Sequence, residues 1–271
     1  MQHKLITFIG GGNMAQAIVF GLLKRGYPAQ QIIVCDPNED RRALFAARGT
    51  QVSADNLTSA QRAEVVLLAV KPQVMAEVCA PLSALDFSDK LLISIAAAIS
   101  VQRLTALLPS AQHIVRAMPN TPALVSEGMA GLFAAPSVSQ EFKTFAEELL
   151  NAVGKTCWVA QEEDMHAVTA ASGSSPAYFF LFMEAMQRAL TEMGLDEENS
   201  RLLVQQSALG AAKMVTENPQ SSLAVLRENV TSKGGTTAAA LAVFNQQNLT
   251  QTVQQAMQAC VARSQEMEKL F

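Results

Sequence analysis

The chain is thin in charge, in histidine and in paired cysteine, and each shortage removes a class of function. Charged residues make up 16% of its 271 residues, and 20 basic against 24 acidic side chains leave a formal net charge of −4. So little charge leaves little material for disordered tails, while 49% hydrophobic residues are ample for a core. The small negative balance argues against nucleic acid or an anionic membrane as the principal partner. An anionic small ligand, which needs only local donors, stays possible. Long apolar runs are missing too: the longest, residues 91–99 and 177–183, fall well short of a membrane span. Ile6–Ile9 is too short for the apolar stretch of a signal peptide, and a cytoplasmic location is the expectation. Cys35, Cys79, Cys157 and Cys260 stand far apart in apolar surroundings without metal or redox spacing, and read as buried free thiols. His3, His113 and His166 do not cluster with acids, so no metal site is expected. There are no internal repeats and no low-complexity segments.

What the chain does have begins at its fourth residue. A β-rich apolar run over residues 4–9 enters Gly10-Gly11-Gly12-Asn13-Met14-Ala15, and a helical pattern follows at Ala17, Ile18, Phe20, Gly21 and Leu22. Strand, G-x-G-x-x-A and helix in that order are the dinucleotide fingerprint in its required context. Gly10 permits the tight turn, Gly12 lets the backbone approach a pyrophosphate, and Ala15 is small enough for close helix–strand packing. The helix N-terminus then offers free N–H groups and a partial positive charge to the phosphates.

The first half continues to alternate strand with helix. Strands are expected at residues 31–35, 64–70, 90–96 and 113–117, and a helix at 38–48 closed by Gly49. Further strands at 128–134 and 155–159 flank a helix near 140–152. The pattern implies an α/β fold with a doubly wound, Rossmann-like parallel sheet, whose ligands sit beyond the carboxyl ends of the strands. Past residue 160 helical periodicity takes over, at 164–193, 196–217, 221–228, 236–244 and 249–270. The expected organisation is a dinucleotide-binding domain over residues 1–160 and an all-helical domain over 161–271. The second is too apolar for a lone bundle of its size, so a dimer through it is expected.

Several motifs lie at the strand ends. Asp36, at the end of the second strand, suits the adenosine ribose and favours NAD over a 2′-phosphate. Arg41 and Arg42 follow closely and could answer a phosphate, and Asp36, Pro37 and Asn38 also suit a simple helix start. Lys71, in Ala69-Val70-Lys71-Pro72, could attract an anion, or the segment could be only a strand stop. Arg116-Ala117-Met118-Pro119-Asn120-Thr121-Pro122 reads first as a rigid crossover. In Ser172-Gly173-Ser174-Ser175-Pro176-Ala177-Tyr178, the proline either starts a helix or kinks one; no histidine–acid pair lies nearby to activate a serine. Ser232-Lys233-Gly234-Gly235-Thr236-Thr237 opens a helix on two glycines, which makes either a carboxylate cradle or an ordinary cap.

Taken together, residues 8–15, 69–72, 116–122, 172–178 and 234–237 resemble pyrroline-5-carboxylate reductases, over essentially the whole chain. The resemblance implies hydride transfer from NADPH, with NADH as the alternative, to the C=N carbon of Δ1-pyrroline-5-carboxylate, giving L-proline. It implies helical domains interlocked in a homodimer, often assembled into a homodecamer. It places Ile9, Gly10, Gly11, Gly12, Asn13 and Met14 on the pyrophosphate, and Asp36 and Asn56 near the adenosine ribose. Ala69, Val70, Lys71, Pro72, Ile95, Ala96 and Ala97 would line the ribose and nicotinamide. The cyclic imino acid would sit between the nicotinamide and the glycine–threonine loop, at the subunit boundary. Asn229, Ser232, Gly234, Gly235 and Thr236 would bind it, with the Thr237 hydroxyl facing the ring nitrogen as the catalytic group. The chain departs from many relatives at three points. Lys233 stands where they have proline, and Asp36 where NADPH-preferring members have a small neutral residue. Ala98 replaces a glycine, so the backbone there is expected to avoid positive φ.

The imine is already electrophilic once protonated, so alignment and exclusion of water suffice for the chemistry. Two rival readings differ in class. A β-hydroxyacid dehydrogenase would need a lysine in the helical domain, for which Lys213 is the candidate without the expected glycine-rich lead-in. A non-catalytic nucleotide sensor would have no need of a carboxylate cradle.

Overall fold

Ile6 and Phe8 belong to one buried cluster and Ile9 to another, although all three sit in one short strand. The same alternation runs through Ile32–Cys35 and Val65–Leu68, where every residue is buried. A strand covered on both faces has no polar side to show, which is why these segments read as unbroken apolar runs. The computed structural model describes residues 2–271. The order is β1 (Ile6–Ile9), α1 (Asn13–Lys24), β2 (Ile32–Cys35), α2 (Glu39–Ala46), β3 (Gln51–Ser53), α3 (Asn56–Arg62), β4 (Val65–Leu68), α4 (Met75–Leu82), β5 (Leu91–Ser94), α5 (Val101–Leu107), β6 (His113–Met118), β7 (Gly128–Ala134), α6 (Gln140–Leu150) and β8 (Gly154–Trp158). The strands form one sheet in the order β3-β2-β1-β4-β5-β6-β7-β8. The first six are parallel, β7 runs antiparallel to β6, and β8 is parallel to β7. This is the doubly wound, Rossmann-like sheet that the sequence implied. Its order reverses at β1, where the crevice for a ligand opens.

Residues divide into two compact units, Met1–Pro176 with Ala259–Phe271, and Ala177–Gln258. In the first, a buried polar network ties the last segment to the sheet. Arg116 of β6 donates to Glu162 at 2.5 Å and to Glu268 at 3.3 Å. His166 contacts Ser264 through Nδ1 at 2.9 Å and Glu268 through Nε2 at 3.2 Å. The helical pattern expected over 164–193 is broken in the middle. α7 (Asp164–Val168) passes into a π turn, Thr169–Gly173, before α8 (Ser175–Glu192) begins with Pro176 in its first turn. There the missing N–H has no partner to lose.

Two cysteines depart from expectation. Cys35 and Cys79 are buried, and burial pushes the Cys79 thiol up to about 11. Cys157 is exposed and Cys260 half-buried. The reason for Cys157 is its place on β8, the outermost strand, where burial alternates from residue to residue.

The second unit is helical: the rest of α8, α9 (Glu197–Glu217), α10 (Leu223–Asn229), α11 (Thr236–Gln246) and part of α12 (Leu249–Glu268). Gly194 turns the chain at φ +98° between α8 and α9, and Asp196 caps α9 by accepting the Asn199 N–H at 2.9 Å. No residue of α8, α10 or α11 is buried.

The β7–β8 pairing supplies a direct test of the packing. Gly128 pairs with Gly154, and a Cβ on Gly154 would lie 1.9 Å from the Gly128 carbonyl oxygen. Backbone cannot yield as a side chain tip does. Gly154→Ala is expected to lower unfolding free energy by about 3 kcal/mol, the upper range for overpacking. Urea denaturation reads this as a lower midpoint at unchanged slope; an unmoved midpoint would contradict the close approach.

Candidate active site

The glycine loop is shaped by backbone contacts from three strand ends. Gly10 donates its N–H to the Cys35 carbonyl at 2.7 Å and holds φ at +103°. A Cβ there would lie 2.6 Å from the Ala69 carbonyl oxygen, so the site admits only glycine. Ala69 in turn donates its N–H to the Ile9 carbonyl at 2.8 Å. Gly11 turns its N–H back into the protein, onto Asp36 Oδ2 at 2.8 Å. Gly12 is different. It precedes α1 in extended conformation, no side chain caps the helix, and a Cβ on it would meet nothing within 4 Å.

That open space belongs to a cleft of about 560 Å³. Ile9, Gly10, Gly12, Asn13, Asp36, Asn56, Ala69, Val70 and Lys71, all expected at a nucleotide, line it together. The other expected residues, Gly11, Met14, Pro72, Ile95, Ala96 and Ala97, do not line it. Met14 and Ile95 pack on one core cluster and Ala96 in the other, while Pro72 opens a 3-10 turn, Pro72–Val74. Ala97, next to Ala96, is half-buried. Uncapped N–H groups facing a cleft of this size fit the diphosphate of a dinucleotide. Cys35, Pro37, Arg41, Val74, Glu77 and Val78 also line it. Sequence reasoning did not place Val74, Glu77 and Val78 there. Their spacing after Lys71-Pro72, one face of a helix start, was the available signal.

The structure separates the competing readings of residues 36–42. The cap of α2 is Asn38, whose side chain accepts the Arg41 N–H at 3.0 Å. Asp36 is 4% exposed and accepts Gly11 N–H on one oxygen and Asn38 N–H, at 2.9 Å, on the other. Its carboxylate thus holds the glycine loop to the end of β2. Asn56 is delivered as the first residue of α3. Asp55 caps that helix by accepting the Leu57 and Thr58 N–H groups at 2.9 and 3.1 Å. Hydrogen bonds from the Thr58 hydroxyl and then its N–H hold the Asp55 carboxyl below its ordinary range.

One expectation about the turn after β5 is overturned. Ala98 has φ +58° and is buried, so the backbone keeps the left-handed turn that glycine adopts freely, with an alanine in it. The conformation costs about 1–2 kcal/mol for a residue with a Cβ.

The two proline motifs of the first unit pack on each other. Asn120 is buried; its Nδ2 donates to the Ser172 carbonyl at 3.1 Å and its Oδ1 accepts the Met129 N–H at 2.9 Å. A Cβ on Gly173 would meet Met118 Cε at 2.5 Å. These contacts make Asn120 a structural joint, as the crossover reading had it.

The remaining expected residues gather in the second unit. Asn229 ends α10, and Ser232, Gly234 and Gly235 form the loop into α11, which Thr236 and Thr237 begin. Gly234 takes φ +74°, and Gly235 donates its N–H to the Ser232 carbonyl at 3.0 Å. No side chain caps α11, so its first N–H groups are open to an anion. Lys213, the candidate of the rival dehydrogenase reading, is exposed in α9.

Comparison with known proteins finds two family models along the chain. Residues 162–267 match the family model described as pyrroline-5-carboxylate reductase dimerisation, and residues 5–98 match NADP oxidoreductase, coenzyme F420-dependent. The chain is 72% identical to the pyrroline-5-carboxylate reductase of Haemophilus influenzae over 271 residues, covering 100% of both chains. A solved pyrroline-5-carboxylate reductase from Coxiella burnetii superposes with a TM-score of 0.93 at 42% identity, covering 98% of this chain and 99% of that one. The Plasmodium falciparum pyrroline carboxylate reductase, solved with NADP bound, gives 0.87 at 28% identity over 99% of each chain.

Gly10 and Gly12 should respond differently to the same added methyl. Gly12→Ala is expected to fold within about 1 kcal/mol of the parent chain, since it touches only the helix cap. Its methyl enters the cleft, and dissociation constants for NADPH and NADH should rise by about tenfold or more, the effect of displacing one charge-assisted contact. Gly10→Ala should lower stability as well. Intact nucleotide affinity in folded Gly12→Ala would contradict the cradle.

Proposed function

The chain belongs to the pyrroline-5-carboxylate reductase family, and we infer that it reduces the C=N bond of L-Δ1-pyrroline-5-carboxylate to L-proline, the last step of proline biosynthesis. One feature of the geometry carries the reading beyond kinship. Each unit opens a helix on a glycine with no side chain capping it, Gly12 before α1 and Gly235 before α11. One anion site suits a nucleotide diphosphate, and the other suits the carboxylate of an imino acid.

In this reading Ile9–Met14 in sequence hold the pyrophosphate, and Asp36 and Asn56 face the adenosine ribose. Residues 69–72 and 95–97 line the nicotinamide end. Bound there, NADPH or NADH supplies the hydride that reduces the imine carbon. Asn229, Ser232, Gly234, Gly235 and Thr236 hold and orient the carboxylate. The Thr237 hydroxyl hydrogen-bonds to the ring nitrogen, which ends the reaction protonated. Since the acceptor is electrophilic on its own, the residues act by alignment and exclusion of water.

The helical domain, taken from residue 161, is the proposed dimerisation element. Phe179, Phe180 and Leu181 on α8 are 67%, 61% and 65% exposed in the single chain, and apolar surface of this extent marks an interface. Five dimers in a ring are the larger assembly proposed. The proposed compartment is the cytoplasm, supported by four cysteines that are all unpaired. No helix among the described residues is long and apolar enough to cross a membrane.

Thr237→Ala tests the assignment. We expect kcat/KM for the imine to fall about tenfold, one hydrogen bond's worth, while NADPH affinity is kept. Unchanged steady-state kinetics would remove Thr237 from the site. Sedimentation of the unmodified chain at micromolar concentration should show dimers or multiples of them; a stable monomer would contradict the role of the α8 face.

A further inference from the structure

The adenosine end of the cleft holds one acid and two arginines, and the arginines are not equivalent. Arg42 is occupied: its Nη1 donates to the Asp36 carbonyl at 2.7 Å and to the Pro37 carbonyl at 3.0 Å. Through Nη1 it staples the turn after β2, and unlike Arg41 it does not line the cleft. Arg41 has its backbone fixed by the Asn38 cap but its side chain 57% exposed, on the cleft wall. Its Nη1 lies 3.5 Å from Asp36 Oδ2. The contact is long and the guanidinium end of it is solvated, so Arg41 is easily drawn to a better anion. Asp36 cannot move with it, because it is buried and accepts one backbone N–H on each oxygen. Each oxygen keeps a lone pair, so a ribose hydroxyl can still donate to it. Lys71, the other cation lining the cleft, follows β4, on the opposite side of β1 from β2.

We propose that Arg41 is the specificity-determining residue for the nucleotide, resting on Asp36 when the adenosine ribose carries a free 2′-hydroxyl and swinging to the 2′-phosphate when it carries one. The fixed acid serves the hydroxyl and the mobile base answers the phosphate. A single site then accepts NADH and NADPH, and Arg41 offsets the repulsion that Asp36 alone would exert on NADPH. The inference rests on the reading of this cleft as the nucleotide site.

The test is fluorescence titration of the full-length protein with NADPH and with NADH, for the parent chain, Arg41→Ala and Arg42→Ala. In Arg41→Ala the ratio Kd(NADPH)/Kd(NADH) should rise about tenfold, the loss of one charge-assisted contact. Arg41→Lys should restore part of it. In the parent, the NADPH constant should climb more steeply with salt than the NADH constant, and Arg41→Ala should abolish that difference. An unmoved ratio in Arg41→Ala, or a shift confined to Arg42→Ala, overturns the proposal alone. Failure of the parent chain to bind either nucleotide overturns the reading of the cleft, and the proposal with it.

Discussion

The end of β1 sits so close to the end of β4 that no side chain fits between them, and the first unit is arranged around that constraint. A Cβ at Gly10 would lie 2.6 Å from the Ala69 carbonyl oxygen. The turn out of β1 therefore needs glycine, and it takes positive φ on the way to the start of α1. From the other side Asp36 accepts the Gly11 N–H and pins the loop to β2. With both neighbours fixed, Gly12 is left facing open space at an uncapped helix N-terminus. The cradle is thus built by backbone geometry and one buried carboxylate. Such a site is organised in advance of its ligand, which is what catalysis by positioning demands.

The chemistry follows from where the polar groups are, and from what they are already doing. Asn120 and Ser172, both in motifs dense with hydroxyl and amide groups, bond to each other's segments and hold the loop after β6 in place. Arg116, Glu162, His166 and Glu268 satisfy one another and bind the C-terminal segment to the sheet. With these engaged in structure, the donors open to a ligand include the first turns of α1 and α11, the hydroxyls beside the latter, and Arg41 and Lys71 on the cleft wall. An anionic imino acid and a dinucleotide need just such donors.

Much of this was legible in the residues. The apolar runs ending at Ile9, Cys35, Leu68 and Ser94 gave four strands, because strands buried on both faces carry no polar alternation to confuse the pattern. The helices from α9 onward were legible as long stretches of helix-forming residues between Gly and Asn breaks. What was hidden depended on tertiary context. β3 is three half-buried residues, Gln51–Ser53, too short to carry a period. The positive φ of Ala98 is imposed by the fold against the residue's own preference. Cys157 looks like a core thiol by its neighbours and is exposed only because β8 ends the sheet. Arg41 and Arg42 are indistinguishable as letters; the carbonyls that capture Arg42 come from a turn that only the folded chain defines.

Everything in the proposed reaction turns on direct transfer of a hydride from nicotinamide to the imine carbon. Reduction of Δ1-pyrroline-5-carboxylate with nicotinamide nucleotide deuterated at the transferring position, followed by mass and NMR analysis of the product, tests it most directly. Direct transfer should give L-proline carrying one deuterium at the former imine carbon, and none at that carbon when unlabelled nucleotide is used in heavy water. Label lost to solvent, or solvent deuterium appearing at that carbon, would contradict it.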